Sequence, residues 1–175
     1  MAALPPSNTA RYKVVYFANG HQHSVIVRAS GAHSPSGFGT WFDGLMTILD
    51  PIWSELSINR VDFAASGSDI FNPVTSGIEG NVYGSGTPAG LLHPQFLAFQ
   101  GRTSGGHKTR LSLYGVGVEE NDYRFNTGDV AEVDAAVTYM QTTSPYAKGI
   151  DGITPTWYSY ANTGFNAYWQ RKERT

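Results

Sequence analysis

Charge is what this sequence has least of. Asp, Glu, Lys and Arg make up 15% of its 175 residues, whereas about 25% is usual in soluble proteins. Aromatic residues make up 13%, and glycine occurs 20 times. Surfaces with few charges and many aromatic side chains are typical of regions that contact other molecules. We therefore expect the protein to work in an assembly, with an ordinary monomer of weakly charged surface as the alternative.

Cysteine and long apolar runs are absent as well. Without cysteine the chain has no disulfide and no thiolate ligand for a metal. No apolar run approaches the roughly 18 residues that span a bilayer, and Met1–Asn8 lacks both the basic and the apolar part of a secretory signal. The net charge of −2 gives the chain as a whole no attraction for nucleic acid. We expect no membrane partner and no sequence-specific nucleic-acid partner.

The stretch from Gln95 to Val118 is the organising element of the chain. Its two apolar runs flank a polar turn that contains glycine, which is the pattern of a β-hairpin. In the second run Leu111 and Leu113 alternate with other residues, so one face should be buried and the other exposed to water. Similar patterns predict two more hairpins, formed by Arg11–Ala18 with Ser24–Ala29 and by Trp157–Ala161 with Phe165–Arg171.

Two helices are predicted between the strands. Thr40 has the character of an N-cap, with Asp43 in the capping-box position, and apolar residues follow at helical spacing until Pro51. Asp129 with Glu132 forms a second capping-box pattern before valines at helical spacing. This order of elements predicts an α+β fold, in which a mainly antiparallel sheet carries two packed helices.

The length of the chain fits a single domain over residues 1–175. Residues 11–65 and 95–161 share an order of hairpin, loop, capped helix and strand, which suggests two pseudo-repeat halves. Few residues are identical between these halves, so an ancient duplication is a hypothesis. Residues 1–10 are predicted to form an extended arm, since a Pro-Pro pair favours that conformation. Residues 66–94 form a long central loop.

The central loop is predicted to be an interaction loop. Loops longer than about 12–15 residues are uncommon in compact domains unless they are functional or disordered, and this one keeps the apolar residues that disordered segments lack. The apolar anchors that would dock on a neighbouring chain are Ile70, Phe71, Val82, Tyr83, Leu91 and Leu92. The alternative is a loop folded back over its own core.

No catalytic or cofactor motif is recognisable in the sequence. His21 and His23 would share a face of a strand and could chelate a metal, but decoration of an exposed hairpin turn explains the pair more simply. The turn of the central hairpin differs from a phosphate-binding loop, because His107 lies between Gly106 and Lys108 and a strand pattern follows. There is also no nucleophile elbow. We expect no metal, no cofactor and no enzymatic activity.

Basic residues near the central turn and the C-terminus complete the predicted partner-binding set. Arg102 and Lys108 belong to a cationic turn suited to contact with an acidic surface, while Arg171 and Lys172 follow Trp169 near the end of the chain. The aromatic residues of 157–169 could instead stack on sugars or bases. Core packing and subunit contact use aromatic residues as well.

Several short motifs lie in the C-terminal half of the chain. They are Gly101–Gly106 leading into Arg110–Gly115, then Asp122–Arg124, Asp151-Gly152 and the ending Asn166–Lys172. In these motifs the chain resembles small structural proteins of tailed-phage virions. Proteins of that kind typically lack cysteine, are rich in glycine and aromatic residues, bind no cofactor, and pack against capsid or tail subunits. None of the motifs has a defined chemical role, so the resemblance transfers no functional residue.

The resemblance implies a non-enzymatic virion protein that is assembled in the host cytoplasm. It would be a head decoration or cement protein, or a minor capsid subunit. Its partners would be other copies of itself and other virion proteins, the major capsid protein first among them. The alternatives are a glycan- or receptor-binding module of a phage tail and a head–tail or tail structural subunit.

Overall fold

The structure is a computed structural model of the chain. It describes residues 10–18, 20–29, 34–52, 55–84, 93–102, 108–118, 127–143, 156–162 and 170–172. The predicted N-terminal arm lies outside these ranges except for Ala10, which belongs to the first strand.

The first half of the described chain is a sheet with one helix. Its elements are β1 (Ala10–Ala18), β2 (His21–Ala29), α1 (Pro35–Leu49), a short 3-10 helix (Asp50–Ile52), β3 (Leu56–Ala64), β4 (Asn72–Val74) and β5 (Val82–Tyr83). The strand order is β2-β1-β3-β4, and β5 also pairs with β3. All of these pairings are antiparallel. Because β2 begins three residues earlier than predicted, His21 and His23 lie on a strand and not in the turn.

The second half repeats this arrangement with different residues. Its elements are β6 (His93–Arg102), β7 (Lys108–Val118), α2 (Thr127–Thr142), β8 (Thr156–Asn162) and β9 (Gln170–Lys172). The strand order is β7-β6-β8-β9, again with antiparallel pairings. The three predicted hairpins are present as β1–β2, β6–β7 and β8–β9, and the predicted α+β class is confirmed.

Both halves place the first strand of their hairpin in the middle. In each half a helix follows the hairpin, and the next strand then pairs with the first strand of the hairpin on its free edge. The strand orders are therefore β2-β1-β3 and β7-β6-β8. The duplication hypothesis required a common strand order. Short connections between neighbouring elements favour the same arrangement without any shared ancestry, so duplication stays a hypothesis.

Helix α1 begins with a Ser-Pro signal that the sequence interpretation overlooked. Ser34 is the N-cap, and its Oγ accepts a hydrogen bond from the amide of Gly37 at 3.1 Å, while Pro35 occupies the first turn. The prediction of Thr40 as N-cap is therefore wrong. Thr40 lies inside the helix and donates its hydroxyl to the carbonyl of Ser36. Helix α2 likewise begins at Thr127, before the predicted capping box.

The two halves share one apolar core. On the side of the first sheet, the ring of Tyr12 stacks on Phe38 of α1 with centroids 4.2 Å apart, and both side chains are fully buried. On the side of the second, Phe99 and Leu111 belong to the same buried cluster. Complete burial of a large apolar side chain stabilises a fold by about 1.5–3 kcal/mol. This shared cluster ties the two sheets and both helices together.

The helices contact each other through Trp41 of α1 and Tyr139 of α2. Their rings lie 6.1 Å apart, the hydroxyl of Tyr139 donates to the carbonyl of Trp41 at 2.8 Å, and the indole N–H of Trp41 donates to Thr143. A Cβ at Gly44 would lie 2.4 Å from the hydroxyl oxygen of Tyr139. The helices can approach this closely only because residue 44 has no side chain.

The first part of the predicted interaction loop is folded back over its own half of the molecule. Residues 72–74 and 82–83 pair with β3, and Ser76 and Ile78 are buried. The carboxylate of Glu79 accepts hydrogen bonds from the amides of Ser76 and Gly77 and from the hydroxyl of Ser76. Burial alone would raise the pKa of Glu79, but these hydrogen bonds together outweigh burial and lower it. Over residues 65–84 the structure therefore shows the folded-back alternative.

Two aspartates of α1 and its 3-10 extension fix the end of this segment. Tyr83 donates its hydroxyl to Oδ1 of Asp43 at 2.6 Å, and the side-chain amide of Asn81 donates to the same oxygen at 3.3 Å. The amide of Gly84 donates to Oδ1 of Asp50 at 2.7 Å. Burial, and then the hydrogen bond to Asp43, raise the pKa of Tyr83. Asp43 therefore serves a tertiary contact and not the predicted helix cap.

Candidate binding face

Alternation along the first three strands separates two faces of the first sheet. Tyr12, Val14 and Tyr16 of β1 point into the core, where α1 packs against them. On β2 the buried Val25 and Val27 alternate with exposed residues. We call the side opposite α1 the open face. From the pairing registers it consists of Arg11, Lys13, Val15, Phe17, Gln22, Ser24, Ile26, Arg28, Ser57, Arg60, Asp62 and Ala64, with Pro73 and Val82 at its margin.

The open face carries most of the large apolar side chains that are exposed in the described residues. These side chains are Phe17 (41% exposed), Ile26 (44%), Val82 (54%) and, on the turn after β3, Ile70 (69%). Phe17 and Val82 lie in one row of the sheet, because Ser57 pairs with both of them. Single exposed apolar residues are ordinary, whereas several on one face indicate a surface for contact with another molecule.

One end of the open face combines an aromatic ring with two cations. The guanidinium of Arg11 lies 5.3 Å from the ring centroid of Phe71, and the ammonium of Lys13 lies 5.6 Å from it. Arg11 also donates to the carbonyl of Ser68 and forms an ion pair of 3.1 Å with Asp69. Cation–π contacts of this kind contribute about 0.5–1 kcal/mol where they are exposed. They fix the turn after β3 against the margin of the face.

The centre of the open face holds a buried carboxylate. Asp62 is 4% exposed, and Nε of Arg60 donates to both of its oxygens at 3.2 and 3.1 Å. Lys13 is its register partner on β1. Val15, only 1% exposed, lies beside Arg60 in the next row. The centre of the open face is therefore buried, and the exposed side chains lie around it.

The charge of the open face differs in sign from that of the chain. The face and its adjoining turn carry four basic side chains and two carboxylates. The basic residues are Arg11, Lys13, Arg28 and Arg60, and the carboxylates are those of Asp62 and Asp69. The face with its adjoining turn thus has two more positive than negative charges, whereas the whole chain has a net charge of −2. Arg11 and Arg60 are already paired with these two carboxylates, each at 3.1 Å.

The structure brings only part of the predicted partner-binding set to this face. Val82 lies at the margin, Phe71 contacts its two cations, and Ile70 is exposed on the same turn. The prediction for Tyr83 is wrong: its side chain is buried and its hydroxyl is bonded to Asp43.

The remaining predicted residues lie away from the open face or outside the described chain. Arg102 and Lys108 are register partners on β6 and β7, and Arg171 and Lys172 lie on β9 opposite Tyr160 and Ser159. Leu91, Leu92 and Trp169 are outside the described residues. Their role in partner contact stays a prediction.

Sequence reasoning missed the main residues of the open face. The sequence patterns place Lys13, Phe17 and Ile26 in strands but do not indicate that they share an exposed surface. The signal that could have found them is the alternation of Ile26 and Arg28 with buried valines on β2. That alternation shows that two faces exist, but not which one the helices cover.

The described residues show no arrangement typical of a metal centre or a membrane span. No three His, Asp or Glu side chains among them are grouped closely enough to hold a metal ion. Neither of the two described helices has the length and hydropathy that a membrane-spanning helix requires. His21 and His23 lie on one face of β2, and His23 stacks on Tyr16 with ring centroids 5.6 Å apart.

His23 should make the stability of the fold sensitive to mild acid. Burial is the main reason why the pKa of His23 is lowered, and the neighbouring His21 lowers it further, while a backbone hydrogen bond with Ala18 opposes both. Its Nε2 is buried and has no hydrogen-bond partner among the described residues. The unfolded chain therefore takes up the proton more readily, and stability falls as pH drops below about 6.5, the ordinary histidine pKa.

Thermal unfolding at pH 7.5 and 5.5 measures this effect. The Tm of the unsubstituted chain should be lower at pH 5.5 than at pH 7.5. We expect this decrease to be smaller in His23→Phe, which keeps a ring against Tyr16 but cannot take up a proton. His21→Gln is the matched control on the same strand and should retain most of the decrease. An equal decrease in the unsubstituted chain and in His23→Phe would contradict the assignment.

No protein-family model matches this chain, and neither a curated protein nor a solved structure is significantly similar to it. A functional assignment therefore depends on the geometry of the open face and on the sequence.

Proposed function

We propose that this chain is a non-enzymatic structural subunit that packs against neighbouring subunits through its open face. The observation that carries this proposal is the grouping of exposed Phe17, Ile26 and Val82 on one side of a sheet whose other side is buried by α1. Following the resemblance of its C-terminal half, the assembly would be a phage virion, with the chain as a decoration or cement protein or a minor capsid subunit.

The size of the open face fits a subunit that has several points of attachment. Strands of 9 residues are about 30 Å long, and three of them side by side are about 14 Å wide. The face thus offers roughly 400–500 Å², whereas a stable interface takes about 800 Å² from each partner. Additional contacts by other parts of the chain would complete the attachment, because a subunit bound at several points rebinds at high effective concentration.

The rigidity of the face favours packing over adaptable ligand binding. Its strands are paired along their length except at a register shift between Val15 and Tyr16, and the side chains behind them are buried in the core. A rigid surface loses little conformational entropy when it is covered by a partner.

Sedimentation velocity of the full chain, alone and mixed with candidate capsid proteins, tests this proposal. The double substitution Phe17→Ser with Ile26→Thr should weaken binding to the partner by roughly tenfold or more, because it removes two half-exposed apolar side chains that the contact would bury. Thr47→Ser, at an exposed position of α1 on the other side of the sheet, is the control.

Circular dichroism and Tm must show that the double variant folds. A folded double variant that binds the partner as tightly as the unsubstituted chain would refute the proposal.

A further inference from the structure

We infer that the second sheet binds single-stranded nucleic acid, independently of sequence, on the side opposite α2. This sheet is not part of the open face, so its role goes beyond the proposed function and does not depend on it. Strands β6 to β9 contain five lysine and arginine residues but no aspartate or glutamate. The chain as a whole has a net charge of −2, so positive charge is concentrated in this sheet.

The core identifies which side of the second sheet α2 covers. Leu111 and Leu113 of β7 are fully buried in the cluster that also holds Met140 of α2. Phe99 of β6 pairs with Leu111 and lies in the same cluster. Ser112, between the two leucines, is only partly buried. Successive residues of a strand lie on opposite sides of a sheet, so position 112 belongs to the side opposite α2.

Three of the basic residues share the side of Ser112. Lys108 and Arg110 are four and two positions before Ser112 on β7, and alternate residues of a strand lie on one side. Arg102 of β6 is the register partner of Lys108, and this pairing has no register shift between Lys108 and Ser112. Register partners on neighbouring strands lie on the same side of a sheet. The positions of all three residues are therefore opposite α2.

Two tyrosines and a fourth basic residue have positions on the same side. Tyr158 of β8 pairs with Gln100, which is the register partner of Arg110. Tyr160 is two positions further along β8, and Arg171 of β9 pairs with it. We call this side the basic face, and the six positions that define it are those of Arg102, Lys108, Arg110, Tyr158, Tyr160 and Arg171.

The strand order places the tyrosines between basic residues. Arg171 is on β9 at one edge, the tyrosines are on β8, and the other three basic residues are on β6 and β7. Neighbouring strands are about 4.8 Å apart and alternate residues of one strand about 6.7 Å apart, so the six positions fit within about 14 by 13 Å. Surfaces that bind single strands combine cations for the phosphates with aromatic residues on which the bases stack.

The tyrosines favour a single strand over a duplex. In a duplex the bases are paired and stacked on one another, whereas the bases of a single strand can stack on aromatic side chains. Such stacking tolerates any sequence, because every base has a π-face. The basic face is therefore compatible with the expectation that the chain has no sequence-specific nucleic-acid partner.

Fluorescence anisotropy of labelled probes mixed with the full-length chain tests this inference. The probes are oligo(dT) and oligo(rU) of about 20 nucleotides, a DNA duplex of the same length, and polyglutamate of similar charge. We expect dissociation constants between about 1 and 100 µM for the single strands at physiological salt. The duplex and polyglutamate should bind at least about fivefold more weakly, since neither offers bases that can stack. Tighter binding of one single strand identifies DNA or RNA as the preferred ligand.

Charge variants of two adjacent residues locate the binding side. Arg171→Gln should weaken oligo(dT) binding about threefold and reduce the slope of log K against log salt by about 0.7, the value for one phosphate of a single strand. Lys172→Gln is the matched control, because Lys172 pairs with Ser159, the register partner of Phe99, and so has its position on the side of α2. It should leave both quantities nearly unchanged.

A tyrosine variant tests the stacking separately from the charge. Tyr158→Leu should weaken oligo(dT) binding about fivefold or more while the salt slope stays the same, because no charge is removed. Circular dichroism and Tm must show that each variant folds. Arg110→Gln and Tyr160→Leu are the second variants of each kind, so that a variant that fails to fold can be replaced.

No binding of either single strand at low salt would overturn the inference, as would equal weakening by Arg171→Gln and Lys172→Gln. Duplex binding as tight as single-strand binding would also overturn it, in favour of contact with phosphates alone. Polyglutamate binding as tight as single-strand binding would identify an acidic protein as the occupant. The proposed function is judged separately, since the Phe17→Ser, Ile26→Thr comparison concerns the other sheet.

Discussion

Gly39→Ala should destabilise the protein by about 1–3 kcal/mol, although alanine is the better helix former. In the middle of a helix, alanine is favoured over glycine by up to about 1 kcal/mol. A Cβ at residue 39, however, would lie 2.1 Å from the carbonyl oxygen of Ser76 and 2.9 Å from its carbonyl carbon. Because these are backbone atoms, no side-chain rotation relieves the overlap, and α1 must move away from the segment that carries Ser76. Overpacking of this kind typically costs about 1–3 kcal/mol.

The expected decrease in Tm is about 3–10 °C for a chain of this size. Thr40→Ala, at the exposed neighbouring position of the same helix, is the matched control and should leave Tm unchanged or raise it. Differential scanning calorimetry of the three chains measures the effect. A Gly39→Ala variant as stable as the control would show that residues 75–79 do not pack against α1 as described.

Asp43→Ala should cost about 2 kcal/mol of unfolding free energy. The substitution removes the acceptor of two hydrogen bonds, one from the hydroxyl of Tyr83 and one from the side chain of Asn81. Tyr83 is only 5% exposed, and its hydroxyl would lose its acceptor and keep only the hydrogen bond that it accepts from Asn81. Hydrogen bonds to charged groups contribute about 1.5–3 kcal/mol, and buried polar groups that lose their partner are costly.

A double-mutant cycle separates this contact from general effects of substitution. Tyr83→Phe removes the same hydrogen bond from the other side, and the double variant should lose at least about 1 kcal/mol less than the sum of the two single losses. Urea denaturation supplies the free energies of unfolding. Strict additivity of the two substitutions would mean that Asp43 and Tyr83 do not interact.

The sheet was predictable because its signals are local. On β1 and β7 buried and partly exposed residues alternate, and the intervening turns contain glycine, so the pattern and the turn point to the same hairpin. Leu111 and Leu113 are buried as their spacing predicts. Boundaries were less accurate, since β2 begins at His21 and β9 covers only Gln170–Lys172.

The errors concern residues whose role depends on distant contacts. Thr40 and Asp43 have the spacing of a capping box, but Asp43 is used by Tyr83, which is 40 residues away. The segment after β3 has apolar residues that suit a partner or its own core, and nothing local decides between them. Within it, Tyr83 is buried while the adjacent Val82 is exposed. The register of β5 on β3 decides which of the two side chains is buried, because Tyr83 pairs with Leu56 and Val82 pairs with Ser57.

The open face could not be predicted from the sequence for a similar reason. Alternation on β2 identifies Ile26 and Arg28 as one side of a strand, but the position of α1 decides which side is covered. That position is set by contacts such as the stacking of Phe38 on Tyr12. Which side of the sheet α1 leaves uncovered can therefore be read only from the folded structure.

Hydroxyl-radical footprinting of the native assembly tests the central claim most directly. Oxidation of Phe17, Ile26 and Val82, which are 41%, 44% and 54% exposed in the isolated chain, is compared between the free chain and the chain in its assembly. Oxidation of Phe17 and Ile26 should fall severalfold on assembly, while oxidation of Met46, which is buried in the core of the chain, should stay low and unchanged. Equal oxidation of Phe17 and Ile26 in the free and assembled chains would contradict this claim.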